Sequence, residues 1–206
     1  MRGNADDGFT LPELLMAVTI LALIIAPLTL AFVTALRVVG KTDQKFTDSR
    51  GALISAADFA SDVNNANVIT TGTSPAQCGS GGTRLVTFAW SDANQPVASL
   101  DSNTNRVTYY YDSTTDPSNK MLLRRICKNG SSTASKSVAA VSLGSQPTVQ
   151  CFVPGAPGAA LACNTATSPT IRWAKMAVTA TPNSKTPDNP SPVAFSFTLA
   201  GTRRAK

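Results

Sequence analysis

The sequence predicts an α+β protein in which a long N-terminal helix packs on an antiparallel β-sheet. Three observations carry this reading. No charged residue occurs from Leu14 to Leu36, a stretch longer than the roughly 20 residues a helix needs to cross a bilayer. Residues 42–66 then keep a helical rhythm with one apolar stripe. After Thr70 short β-branched and aromatic runs replace any helical pattern.

The apolar run comes first. A cleaved secretory signal has a shorter apolar core followed by a small-x-small site. This run is longer and passes straight into the next helical segment. Glu13 is the only charged residue between Asp7 and Arg37. A carboxylate costs about 2.5–3.5 kcal/mol at mid-bilayer and less near an end. Such a residue is by default functional and has a partner. Pro12 fits the first turn of a helix, where its missing N–H has no partner to lose. Pro27 lies inside the run and removes one backbone hydrogen bond.

The second half of the helix follows. Phe46, Leu53, Ala57, Ala60 and Val63 form the apolar stripe, while Asp43, Lys45, Asp48, Arg50 and Asp58 fall mostly elsewhere. Asn64, Asn65 and Asn67 are poor helix formers and mark the end. Carried at 1.5 Å per residue from Thr10 to Asn65, the helix would run about 80 Å.

The sheet is read from six runs: 84–90, 106–111, 120–126, 137–143, 170–179 and 193–199. Val193 to Leu199 alternates cleanly, and Asn129-Gly130 is a tight-turn signal between two runs. Tyr109-Tyr110-Tyr111 could form a binding surface, but the outer two share one strand face, and the preferred reading is a half-buried strand that leaves Tyr110 on the solvent side. Asn129-Gly130-Ser131 also has the form of a glycosylation sequon.

Composition narrows the function. The chain has 206 residues, net charge +6 and no histidine. The commonest general base, His-dependent triads and His-liganded metal sites are therefore absent. Asp92, Asp101, Asp112 and Asp116 lie in loops or at strand ends, and their spacing matches no EF-hand loop. The chain reads as a non-enzyme with no cofactor and no metal. Arg124-Arg125 and the tail Arg203-Arg204-Ala205-Lys206 are basic and could touch DNA, although such residues are more often solvated ends.

Cys78, Cys127, Cys151 and Cys163 all follow the apolar run, and no two of them form a C-x-x-C motif. If the N-terminus stays inside the cell, they face an oxidising compartment, where two disulfides are the natural state. Three pairings are open. The favoured one joins Cys151 to Cys163 around a Pro/Gly-rich loop and leaves Cys78 to Cys127, each bridge being worth about 3–4 kcal/mol.

The stretch Gly8-Phe9-Thr10-Leu11-Pro12-Glu13-Leu14-Leu15 resembles the class III leader site of type IV prepilins and type II secretion pseudopilins. That pattern is a Gly, then Phe, then a short apolar stretch with Glu at the fifth place after the Gly. The resemblance implies cutting between Gly8 and Phe9 by a prepilin peptidase and N-methylation of Phe9. It also implies that Glu13 pairs with the amine of a neighbouring subunit and sets the register of assembly. The leader departs from the family's usual basic character, with Asp6 and Asp7 beside the Gly and Arg2 as its only cation. Residues 1–8 are then a leader, 9–41 a transmembrane and filament-core helix, and 42–206 a pilin-like domain with its helix at 42–66 and its sheet at 84–200.

The spacing Arg50-x-x-Leu53-x-x-Ala56-x-x-Phe59-x-x-Asp62-x-x-x-Ala66 resembles J-type pseudopilins and W-type minor pilins, with Asp62 either bracing the helix end or facing solvent. The expected function is a minor pilin or pseudopilin in a type IV pilus or type II secretion-like filament. The alternatives are a filament-borne module for DNA uptake or adhesion and a simple signal-anchored extracytoplasmic domain. The partners the resemblance implies are other pilin subunits, the prepilin peptidase, an inner-membrane assembly platform and, before assembly, membrane lipid. The expected location is a single pass of the cytoplasmic membrane with the N-terminus inside and the globular domain outside.

Overall fold

A computed structural model describes residues 10–72, 77–91, 104–155, 160–164, 170–181 and 194–204, leaving aside the side chains of 37–49. One helix, α1 (Leu11–Asn65), is followed by eight strands: β1 (Val68–Thr70), β2 (Thr83–Ser91), β3 (Thr104–Asp112), β4 (Met121–Cys127), β5 (Ser135–Ala140), β6 (Thr148–Phe152), β7 (Trp173–Ala180) and β8 (Phe195–Thr202). The chain divides into two compact units between Ser49 and Arg50.

The first unit contains the apolar part of α1. Thr10 to Leu36 is exposed throughout. The helix continues through Pro27. Its hydroxyls are satisfied locally: Thr19, Thr29 and Thr34 donate to the carbonyls of Met16, Ile25 and Leu30, each at 2.8 Å. Such back-bonding lets a polar residue sit in an apolar medium without a stranded donor.

The second unit contains the end of α1 and all eight strands. The strands make two antiparallel sheets, β1-β2-β3-β4-β5 and β6-β7-β8. The sequence reading has a single sheet and lacks β1 and β6. β1 is three residues long, and β6 (Thr-Val-Gln-Cys-Phe) places polar residues on the outward positions. Both are too short for their alternation to stand out from the surrounding loops.

The two sheets and the helix share one core. Phe59 is its anchor on the helix, with its ring edge-on to Phe88 at 5.4 Å and to Tyr109 at 5.5 Å. Val63 and Ala66 continue that face, and Met176, Val178 and Leu199 close the core from the smaller sheet. The buried helix face is therefore rotated from the expected stripe: Val63 belongs to it, Leu53 and Ala57 are exposed, and Phe46 lies outside the described side chains. Burying the largest apolar side chain on this segment outweighs burying Leu53. β8 comes close to the helix because residue 201 is Gly; a Cβ there would lie 2.6 Å from Val63 Cβ.

Asn129 and Gly130, at φ 52° and 71°, form the tight turn expected of them. Ser131 N–H donates to Lys128 O at 3.0 Å across that turn. A register shift between β4 and β5 at Leu122/Leu123 leaves Ala139 without a direct partner. Its freed carbonyl accepts a hydrogen bond from the Ser55 hydroxyl of α1, so the bulge ties the sheet edge to the helix.

Candidate functional site

Gly8 and Phe9 lie outside the described residues. The described N-terminus begins with Thr10, whose carbonyl accepts from the N–H of Glu13 at 3.0 Å and of Leu14 at 3.1 Å. Thr10 is thus the cap of α1, and its hydroxyl reaches the Glu13 carboxylate at 3.4 Å. The spacing Thr-x-x-Glu is that of a capping box, a signal in the sequence that the reading above does not use. Glu13 is exposed in the first turn, where a carboxylate favours the positive end of the helix dipole. The carboxylate is therefore held at the helix start, with access to a partner outside its own chain. Leu11–Leu36 is long and apolar enough to cross a membrane.

A second constellation lies in the other unit. Asp62 is buried at 2% exposure and is held by three donors. Arg124 Nη2 bonds Oδ1 at 2.6 Å, Arg124 Nε bonds Oδ2 at 2.8 Å, and the Tyr109 hydroxyl donates to Oδ2 at 2.8 Å. Asp58 Oδ2 adds a looser contact at 3.8 Å from Arg124 Nη1. Burial pushes the Asp62 carboxyl above the ordinary range, while the hydrogen bond and charge of Arg124 act against that rise. Burial also pushes the Tyr109 phenol up, reinforced by the Asp62 charge. Burial disfavours the Arg124 cation, but its bonds to Asp62 more than offset this and hold it above its usual value. Of the two readings of Asp62, the structure places it as a brace between helix and sheet. Within the J- and W-type spacing, Phe59, Asp62 and Ala66 are buried, while Arg50 and Leu53 are exposed.

The tyrosines correct an expectation. All three are buried, and Tyr110 is not on an open face. The segment from Cys78 to Gly82 crosses that side of the sheet and is fastened in two ways. Cys78 is disulfide-bonded to Cys127, and the Tyr110 hydroxyl donates to Cys78 O at 3.2 Å and Gly79 O at 2.8 Å. The second disulfide joins Cys151 to Cys163. Cys163 O in turn accepts from both the N–H and the hydroxyl of Thr71, at 2.6 and 2.9 Å, which ties the loop after β1 to the smaller sheet.

The basic and acidic candidates separate in the same way. Arg124 is committed to Asp62, which removes it from any DNA contact. Arg203 donates to Asn67 O at 2.7 Å, and Ala205 and Lys206 lie outside the described residues. Asp112 accepts from the hydroxyls and N–H groups of Thr114 and Thr115. Asp116 accepts from Ser118, and Asp92 and Asp101 lie outside the described residues. Among the described residues no three His, Cys, Asp or Glu side chains gather as metal ligands would.

Residues 3–29 match the family model of the prokaryotic N-terminal methylation motif. No curated protein and no solved structure matches the chain. The matched span covers the Gly8–Glu13 segment and more than half of the apolar run, and it ends before the second unit begins.

Proposed function

From the match of residues 3–29 to the N-terminal methylation motif, we propose that the chain is a type IV pilin-like protein, a minor pilin or pseudopilin acting as a non-enzymatic subunit of a type IV pilus or type II secretion-like filament. The motif is the observation that carries the reading. In this proposal a prepilin peptidase cuts between Gly8 and Phe9 and methylates the new Phe9 amine. An inner-membrane platform then draws the subunit out of the lipid. Glu13 pairs with the Phe9 amine of a neighbouring subunit, which gives the carboxylate the partner it needs in an apolar surrounding.

The globular unit supports a minor rather than a major subunit. It is built from two sheets and two disulfides. The brace at Asp62 supports kinship with the J- and W-type subunits, because it gives the late-helix Asp of that spacing a structural task. The N-terminus lies inside the cell and the second unit outside, where disulfides persist.

The test is intact mass and N-terminal peptide mapping of the protein from its own host. A chain beginning at Phe9 with one added methyl group is the expected result. A chain still beginning at Met1 in cells with an active prepilin peptidase overturns the proposal and leaves a plain membrane-anchored domain.

A further inference from the structure

The two sheets end in the edge strands β1, β5, β6 and β8. An open edge presents unpaired N–H and C=O groups to any other chain, so natural edges are shortened, bulged, charged or covered. Three of these edges are managed in that way. β1 is only three residues long. β5 carries Lys136 and a register shift, and the Ser55 hydroxyl takes its Ala139 carbonyl. On β6 the Cys151 carbonyl accepts from the N–H of Leu161 at 2.8 Å.

β8 has none of these devices. Its residues, Phe195–Thr202, include no charge and no proline, and its pairing with β7 runs without a register shift. Arg203 N–H donates to Arg172 O, which sets the alternation of the ladder. The backbone groups of 195, 197, 199 and 201 turn to β7, and those of Ser196, Thr198, Ala200 and Thr202 turn away. These outward residues are exposed, and their backbone groups bond to no other element among the described residues. At one end of the edge Phe195, 40% exposed, stacks on Phe197 at 5.5 Å. At the other end a groove of about 660 Å³ opens between Ser61, Asn64 and Asn65 of α1 and Thr202, Arg203 and Arg204. No acidic side chain lines it. Burial lowers the pKa of Arg203 and the charge of Arg172 lowers it further, so positive charge is in excess here. From Pro117 to Lys206, Asp188 is the only acidic residue.

We propose that β8 is a docking edge for an extended acidic peptide segment of a partner protein, which adds as an antiparallel strand beside β8 and sets its carboxylates against Arg203 and Arg204. Main-chain bonds to the outward groups of Ser196, Thr198, Ala200 and Thr202 supply the affinity, and side-chain contacts at the two ends supply the selectivity. The aromatic pair takes an apolar side chain, and the arginines take carboxylates. Phe195 to Arg204 spans about 30 Å in a strand, so the segment needs about ten residues. The antiparallel direction places its carboxylates toward its own N-terminus. A second copy of β8 offers no carboxylate, so the charge of the groove assigns the edge to a different chain. The edge belongs to the second unit and does not depend on the N-terminal motif.

The test uses the full chain in detergent micelles, isotopically labelled for hydrogen exchange read by NMR. The probe is a capped peptide of about ten residues, two aspartates followed by alternating threonine and valine, and its counterpart with two lysines is the comparison. Saturable binding of the aspartate peptide is expected, with exchange slowed at Ser196, Thr198, Ala200 and Thr202 and unchanged at the amides already bonded to β7. T198P should abolish it, because proline at an outward N–H is tolerated on an edge strand and removes a donor. R204E should weaken binding of the aspartate peptide about tenfold. It changes an exposed residue and keeps the proposal testable if T198P does not fold. Equal binding of the lysine peptide overturns the acidic assignment. Protection of the same amides without peptide, rising with protein concentration, means self-pairing and overturns the assignment to a partner. Binding of neither peptide, or binding unchanged in T198P and R204E, overturns the docking edge itself.

Discussion

Replacing Asp62 with Ala removes the buried acceptor of three hydrogen bonds that join the helix to the sheet. The side chains of Asp62 and Arg124 are 3% and 13% exposed, so water does not readily replace the lost carboxylate. Breaking a buried pair from one side costs about 3–5 kcal/mol, because the remaining charge is left uncompensated. Asp58, at 3.8 Å and 44% exposed, is a partial substitute that places the expected cost near the lower end, about 3 kcal/mol. For a unit of this size that lowers the melting temperature by about 6–12 °C. Y109F removes one donor and should cost about 1–2 kcal/mol. The triple variant D62L/R124M/Y109F leaves no polar group unpaired and should stay within about 1–2 kcal/mol of the natural chain. The assay is thermal and urea unfolding of the full chain in detergent, followed by the signal of the strands. A D62A cost below about 1 kcal/mol would refute the view that this triad fixes the helix to the sheet. So would a triple variant as unstable as D62A, because the loss would then not come from a stranded charge.

The two disulfides should contribute unequally. Their sequence separations of 49 and 12 give about 4 kcal/mol for Cys78–Cys127 and about 3 kcal/mol for Cys151–Cys163 from loop-closure entropy, read as urea midpoints of C78S/C127S and C151S/C163S. G82A should cost more than about 3 kcal/mol, since it combines φ +92° with a Cβ 2.2 Å from Tyr111 O, whereas G155A, at φ +81° with open space around it, should cost only about 1 kcal/mol; equal losses in melting temperature would contradict the geometry. Two carboxylates should give stability–pH slopes of opposite sign. Hydrogen bonds from Thr115 and Thr114 hold the Asp112 carboxyl down to about 2, so its contribution is present above the unfolded value near 3.8 and is lost as pH falls through about 2. Burial raises Asp62, so its effect on stability declines as pH climbs from about 3.8 through the raised value. D112N should flatten the acid limb of the natural chain, and an unchanged limb would show that the threonine bonds do not form in solution.

The legible and the illegible parts of this chain divide by the range of the interaction that decides them. The long apolar segment of α1 can be read from composition, because a bilayer imposes its requirement residue by residue and no distant partner is needed. The tight turn at Asn129-Gly130 is equally local, being set by the φ values those two residues accept. Asp62 could not be placed from sequence. Its neighbours on the helix permit either a solvated or a buried face, and the choice is made by Arg124, 62 residues later. The helix register follows from the same pairing: with Asp62 turned inward, Phe59 and Val63 must enter the core and Leu53 must leave it. Tyr110 shows the limit of strand periodicity, which assigns a residue to a face and says nothing about what covers that face. A glycine strap fixed by a disulfide covers it here, and the same strap brings backbone against Arg125. The doublet Arg124-Arg125 therefore carries two roles that its sequence gives no means to separate. Alternation sends one guanidinium to a carboxylate in the core and leaves the other on the opposite face, against the glycine strap.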